Sequence, residues 1–145
     1  NTSVIIFGLL VIAGSYFLDR AYKKRIFSVF LILSGIGAIG VGIFPETTGN
    51  IHLAVASIAF TFGGLAAITS IQISKRPFNH FSIILGLIAL ASLVLYSSQI
   101  NLGLGHGGME RMIAYPELLW GAGLGGYMLS SQDYSKSWTS PAEKP

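Results

Sequence analysis

The chain has 145 residues, of which 52% are hydrophobic and only 10% charged, and a mean hydropathy of +0.65. A soluble domain carries about 25% charged residues, so too few remain to solvate a globular surface, and lipid must be part of the solvent. A net charge of +3 is too small to argue for nucleic acid, and the absence of cysteine rules out disulfides, thiolate metal sites and thiol nucleophiles.

Five apolar segments follow in chain order, roughly over residues 4–22, 26–44, 51–73, 81–99 and 112–130. Each is about the 20 residues that cross some 30 Å of hydrocarbon as a helix. Helices satisfy their own backbone hydrogen bonds in lipid, whereas no alternation of the kind a membrane strand needs is present. The expected fold is all-α: an integral membrane bundle of five transmembrane helices over residues 1–131, then a polar cytoplasmic tail over 132–145.

The chain opens at Asn1 without methionine, which fits either removal of an N-terminal piece or numbering that starts inside a longer precursor. Asn1-Thr2-Ser3 has the glycosylation pattern, a weak three-residue signal. The connectors are short. Asp19 to Arg25 joins the first two segments. Phe44 to Asn50 joins the second and third, with Pro45 to end a helix and Gly49 to turn the chain. Ser74 to His80 joins the third and fourth, and the glycine-rich residues 98–111 join the last two.

Of nine basic residues, eight fall on one side of this arrangement: Arg20, Lys23, Lys24 and Arg25, then Lys75 and Arg76, then Lys136 and Lys144. Only Arg111 falls on the other. The positive-inside rule therefore predicts a cell-membrane protein with its N-terminus outside and its C-terminus cytoplasmic. An odd helix count with an outside start is compatible with a sixth helix before Asn1. Small residues recur at packing spacing, as in Ser34-Ala38-Gly42, Ala56-Ala59-Gly63-Ala67 and Gly121-xxx-Gly125, and predict close packing of the second, third and fifth helices.

The ionisable residues sort by side. Glu46, His52, His106, Glu110, Arg111 and Glu117 fall outside or in the outer part of the membrane, with Tyr115 beside them. None is expected at a helix centre, which argues against a transmembrane ion path. If residues 106–117 are helical, His106, Glu110 and Glu117 share a face. Pro116 also offers a restart, which would place Glu117 next to a positive helix end. Two uses of the cluster are open. One is structural, with Arg111 paired to Glu46 or Glu117 and His52 hydrogen-bonded. The other is a ligand site, because the planar Arg111 fork suits a carboxylate or a lipid phosphate. The spacing of His52 and His106 matches no zinc motif, and no cofactor is expected. The glycine run at 103–108 is no phosphate loop, for it lacks the Lys-Ser/Thr ending.

Phe44-Pro45-Glu46 followed by His52, with Ala54 and Ala56, resembles the first signature of the domain-of-unknown-function 998 family of prokaryotic membrane proteins. Gly108-Met109-Glu110-Arg111 through Tyr115-Pro116 to Leu119-Trp120 is similar to its second signature. Asn1-Thr2-Ser3 with Phe7-Gly8-Leu9 and Ala13-Gly14 is similar to its second-helix region. The resemblance spans nearly the whole chain. It implies six helices in the parent and brings no settled activity. The expectation is a non-enzymatic membrane module that binds lipid headgroups or a partner subunit, or a second copy of itself, through an extracytoplasmic polar cluster. The alternative is an intramembrane lipid hydrolase, metal-dependent or acid/base, built on His52, His106 and Glu110 or Glu117.

Overall fold

The computed structural model describes the backbone of residues 1–139 and the side chains of residues 1–131. The segment 140–145, the end of the expected polar tail, lies outside the described residues. Five helices run up and down in chain order: α1 (Thr2–Tyr22), α2 (Arg25–Ile43), α3 (Asn50–Thr69), α4 (Phe78–Ser97) and α5 (Gly105–Thr139). One-turn helical links, Glu46–Thr48 and Ser70–Gln72, lead into and out of α3. Four spans, α1, α2, Asn50–Gln72 and α4, are long and apolar enough to cross a membrane. α5 runs antiparallel to α4 over the same depth. Its Glu110 meets Tyr96 at one end, and its Tyr127 stacks on Phe78 at the other. The chain is thus an all-α, multi-pass membrane bundle.

The two ends differ in chemistry. Lys23–Arg25 and Lys75–Arg76 lie at the end called basic below. The Glu46–Thr48 link and the start of α5 lie at the opposite, polar end. Each helix packs against its neighbours in sequence, and α3 also packs on α5. α1 is the least buried of the four membrane-length spans α1, α2, Asn50–Gln72 and α4. Its Leu10 and Phe17 are 65% and 69% accessible, which is the signature of a side turned to lipid.

Glycine explains how the backbones come so close. A Cβ on Gly8 of α1 would sit 2.6 Å from the Gly35 carbonyl oxygen of α2. On its other side α2 turns Gly37 to Ala59 of α3 and Gly40 to Val55. α3 and α4 cross at Gly64 and Gly86, where a Cβ on Gly86 would sit 2.7 Å from the Gly64 oxygen. Close approach of this kind replaces the missing hydrophobic drive between helices in lipid. The expected packing of the second and third helices is therefore present. The small-residue row of α5 differs from expectation, because Gly121, Gly125 and Gly126 face outward with nothing near them.

Two buried or half-buried hydroxyls tie neighbouring helices together, as apolar surroundings favour. Ser15 Oγ donates to the Ser28 carbonyl at 2.9 Å and ties α1 to α2. Ser34 Oγ donates to the Ala59 carbonyl at 2.9 Å and ties α2 to α3. At the basic end Trp120 is buried in the main core cluster with Phe27, Leu31, Ala66 and Leu85. Its indole N–H donates to Ser70 Oγ at 3.3 Å.

α5 corrects one expectation. It starts at Gly105, before the apolar run, and continues through Pro116 as one helix to Thr139. Proline inside a membrane helix is tolerated where neighbours compensate. No restart at Pro116 occurs, and this moves Glu117 from a helix start to a helix interior.

Candidate polar-end cleft

The Phe44–Asn50 connector builds one wall of the site. Phe44 ends α2 in extended geometry, and Gly49 takes φ 62°, ψ −119°, a conformation that favours glycine. The sharp return starts α3 so that His52, on its first turn, faces back to the end of α2. His52 Nδ1 lies 2.8 Å from the Phe44 carbonyl oxygen. A carbonyl only accepts, so Nδ1 donates this bond and Nε2 is left outside it. The second wall comes from the end of α4 and the first turns of α5. Tyr96 donates its hydroxyl to Glu110 Oε1 at 3.1 Å. The His106 ring meets the Tyr96 ring edge-on, with centroids 5.9 Å apart.

Between these walls opens a cavity of about 380 Å³. Glu46, His52, Tyr96, Glu110 and Arg111 line its mouth, and Phe60, Leu93 and Ile113 its deeper part. Arg111 is exposed. Among the described residues it has no carboxylate oxygen within 4.0 Å, so the expected Arg111 pairing with Glu46 or Glu117 is not made. The hydrogen bond expected for His52 is made. Arg111 also borders a second hollow, lined by Leu85, Ile88, Met112, Tyr115, Pro116 and Leu119, on the outer flank of α4 and α5.

The structure thus brings together Glu46, His52, Glu110 and Arg111 from the predicted cluster and sets His106 at their rim. Tyr115 points away, 60% exposed, into the second hollow. Glu117 is separate. Its carboxyl packs directly on Gly63 of α3, where any side chain would collide with it. Its Oε1 is shielded from solvent and has no hydrogen-bond partner. Among the described residues no three His, Asp or Glu side chains converge as a metal-holding group.

Two contributors escaped the sequence reading. Tyr96 is absent from the predicted cluster, although its place at the end of the fourth segment, a short connector from Glu110, was the available signal. Gly63 passed as one of a row of packing residues. Nothing in the sequence marks it as the seat of a carboxyl.

No curated protein and no solved structure matches the chain. The family model described as "Protein of unknown function (DUF998)" matches residues 1–126, most of the length, and the chain belongs to that family.

Proposed function

We propose that this protein is a membrane module that holds the phosphate-bearing headgroup of a membrane lipid in the polar-end cleft, on the extracytoplasmic side. One observation carries the reading. An arginine with no carboxylate partner among the described residues stands where a polar-mouthed cavity meets an apolar hollow on the outer flank of α4 and α5. The guanidinium fork matches a phosphate oxygen pair. Tyr96, Glu46 and Glu110 offer partners to the amine or hydroxyls of a headgroup. Leu85, Ile88, Met112 and Leu119 offer an apolar track for an acyl chain. The sidedness rests on the eight-to-one split of basic residues.

Native mass spectrometry of the detergent-extracted protein tests this. The wild type should retain phospholipid. Arg111→Gln should weaken retention about 10- to 100-fold, the worth of a hydrogen bond to a charged group at about 1.5–3 kcal/mol. Arg111→Lys should recover part of it. Equal retention by Arg111→Gln, or equal retention of lipids lacking phosphate, would overturn the proposal.

A second reading, an acid/base lipid hydrolase, draws on the His52 tautomer. The Phe44 carbonyl holds the ring so that Nε2 is free to take a proton. Release of a headgroup from added phospholipid, lost in His52→Gln, would support it. No release by the wild type would remove it.

A further inference from the structure

Glu117 lies at mid-depth. It is seven residues from Glu110 at the polar end and ten from Tyr127 at the basic end, about 10 Å and 15 Å of helix rise. Across from it, Gly63 is an interior residue of α3. Glycine there leaves a notch, and the carboxyl fills it. The cleft ends one helical turn above, since Phe60 and Ala114 line it and stand three residues before Gly63 and Glu117 respectively.

Among the described residues no other charge serves this carboxyl. On α5 the nearest charged side chain toward the polar end is Arg111, six residues and about 9 Å of rise away. Glu110 and His106 lie farther, Tyr115 is turned to lipid, and Tyr127 is at the basic end. On α3 the one titratable group is His52, eleven residues away. α4 carries His80 and Tyr96 at its two ends, and α2 carries Arg25 at its basic end. A carboxylate here would be an unpaired charge in hydrocarbon, which proteins retain only for a use. A neutral carboxylic acid fits the notch, and its hydroxyl can donate to the helix backbone or to a water at the cleft floor.

We propose that Glu117 is a proton-binding site of the membrane interior, loaded and emptied through the polar-end cleft. Its ligand is a proton, and the proposal stands whatever else the cleft holds. The route is short, because only the turn between the cleft floor and Gly63 separates the carboxyl from water in the cleft. It makes Glu117 a neutral acid in apolar surroundings.

Dicyclohexylcarbodiimide discriminates this state. The carboxyl O–H adds across one N=C bond of the reagent, and the acyl group then migrates from oxygen to nitrogen, leaving the whole reagent attached as an N-acylurea. Peptide mapping of the full chain in lipid nanodiscs should find the adduct on Glu117 and not on Glu46 or Glu110. Labelling should fall as the bath is made alkaline. Glu117→Gln, close in shape, should abolish it, and Gly63→Ala, which removes the carboxyl's seat, should reduce it several-fold. Circular dichroism should show both variants as helical as the wild type. An unlabelled Glu117 in the folded wild type, or labelling that ignores bath pH, overturns the proposal. Lipid retention is read independently, so loss of that reading leaves this result unaffected.

Discussion

The α3–α4 crossing sets the width of the bundle behind the cleft, and its glycines make a sharp test of the packing. A Cβ on Gly86 would sit 2.7 Å from the Gly64 oxygen and 2.8 Å from Ile68 Cγ1, while ordinary contact begins near 3.4 Å. Gly86→Ala therefore asks the two helices to part by about 0.7 Å, the difference between those distances. The Gly64 side is backbone and cannot rotate away. Gly121→Ala is the matched control, since that glycine is also interior to a helix but has nothing within 4 Å. Replacing helical glycine by alanine gains about 1 kcal/mol of propensity at either position, so the term cancels between the two variants. What remains is overpacking, about 1–3 kcal/mol. Gly86→Ala should therefore be less stable than Gly121→Ala by that amount, a factor of about 5 or more in the folded-to-unfolded ratio. Reversible unfolding in mixed micelles, followed by far-ultraviolet circular dichroism, reads the difference. Equal stability of the two variants would refute the close crossing. A loss in Gly121→Ala itself would show that a second helix covers that face.

Ser15→Ala removes the one side-chain hydrogen bond from the buried face of α1 to the α2 backbone. It should cost about 0.5–1.5 kcal/mol in the same unfolding assay. Ser97→Ala should be near neutral, because that hydroxyl bonds only within α4. The natural absence of cysteine makes single-cysteine mapping clean. Thr47→Cys, between α2 and α3, should react with an impermeant maleimide in intact cells, and Lys75→Cys only after lysis. The reverse pattern would invert the orientation proposed for the cleft.

Hydropathy located the helices because it reads the solvent, and four of the five apolar runs coincide with α1 to α4 to within a few residues. The fifth run begins at Met112 while its helix begins at Gly105. Glycine and charge there reflect an environment at the membrane edge, but backbone hydrogen bonding continues regardless. The same misreading hid the depth of Glu117: a helix restarted at Pro116 puts the carboxyl at a boundary, whereas a helix begun at Gly105 carries it into the interior. Residues 132–139 likewise continue α5, although their polarity reads as tail. Glu46, His52, Glu110 and Arg111 were legible as a set because ionisable residues are scarce and fall at one end. Their geometry was not, since a sequence does not show that Tyr96 takes up Glu110 and leaves Arg111 free of a carboxylate.

The notch at Gly63 also has a bearing on synthesis. Chains emerge N-terminus first, and α3 leaves the ribosome well before Glu117 does. A lone α5 would have to carry its acid into bare lipid. In the order in which this chain is made, the complementary surface already waits in the bilayer, and α4 is the only helix that must fold between the two. This acid is thus carried by the fifth helix, made when a docking place exists for it. Moving α5 ahead of α3 in a permuted gene would withhold that surface at the moment it is needed, so the order of the helices is itself part of how the fifth one enters the membrane.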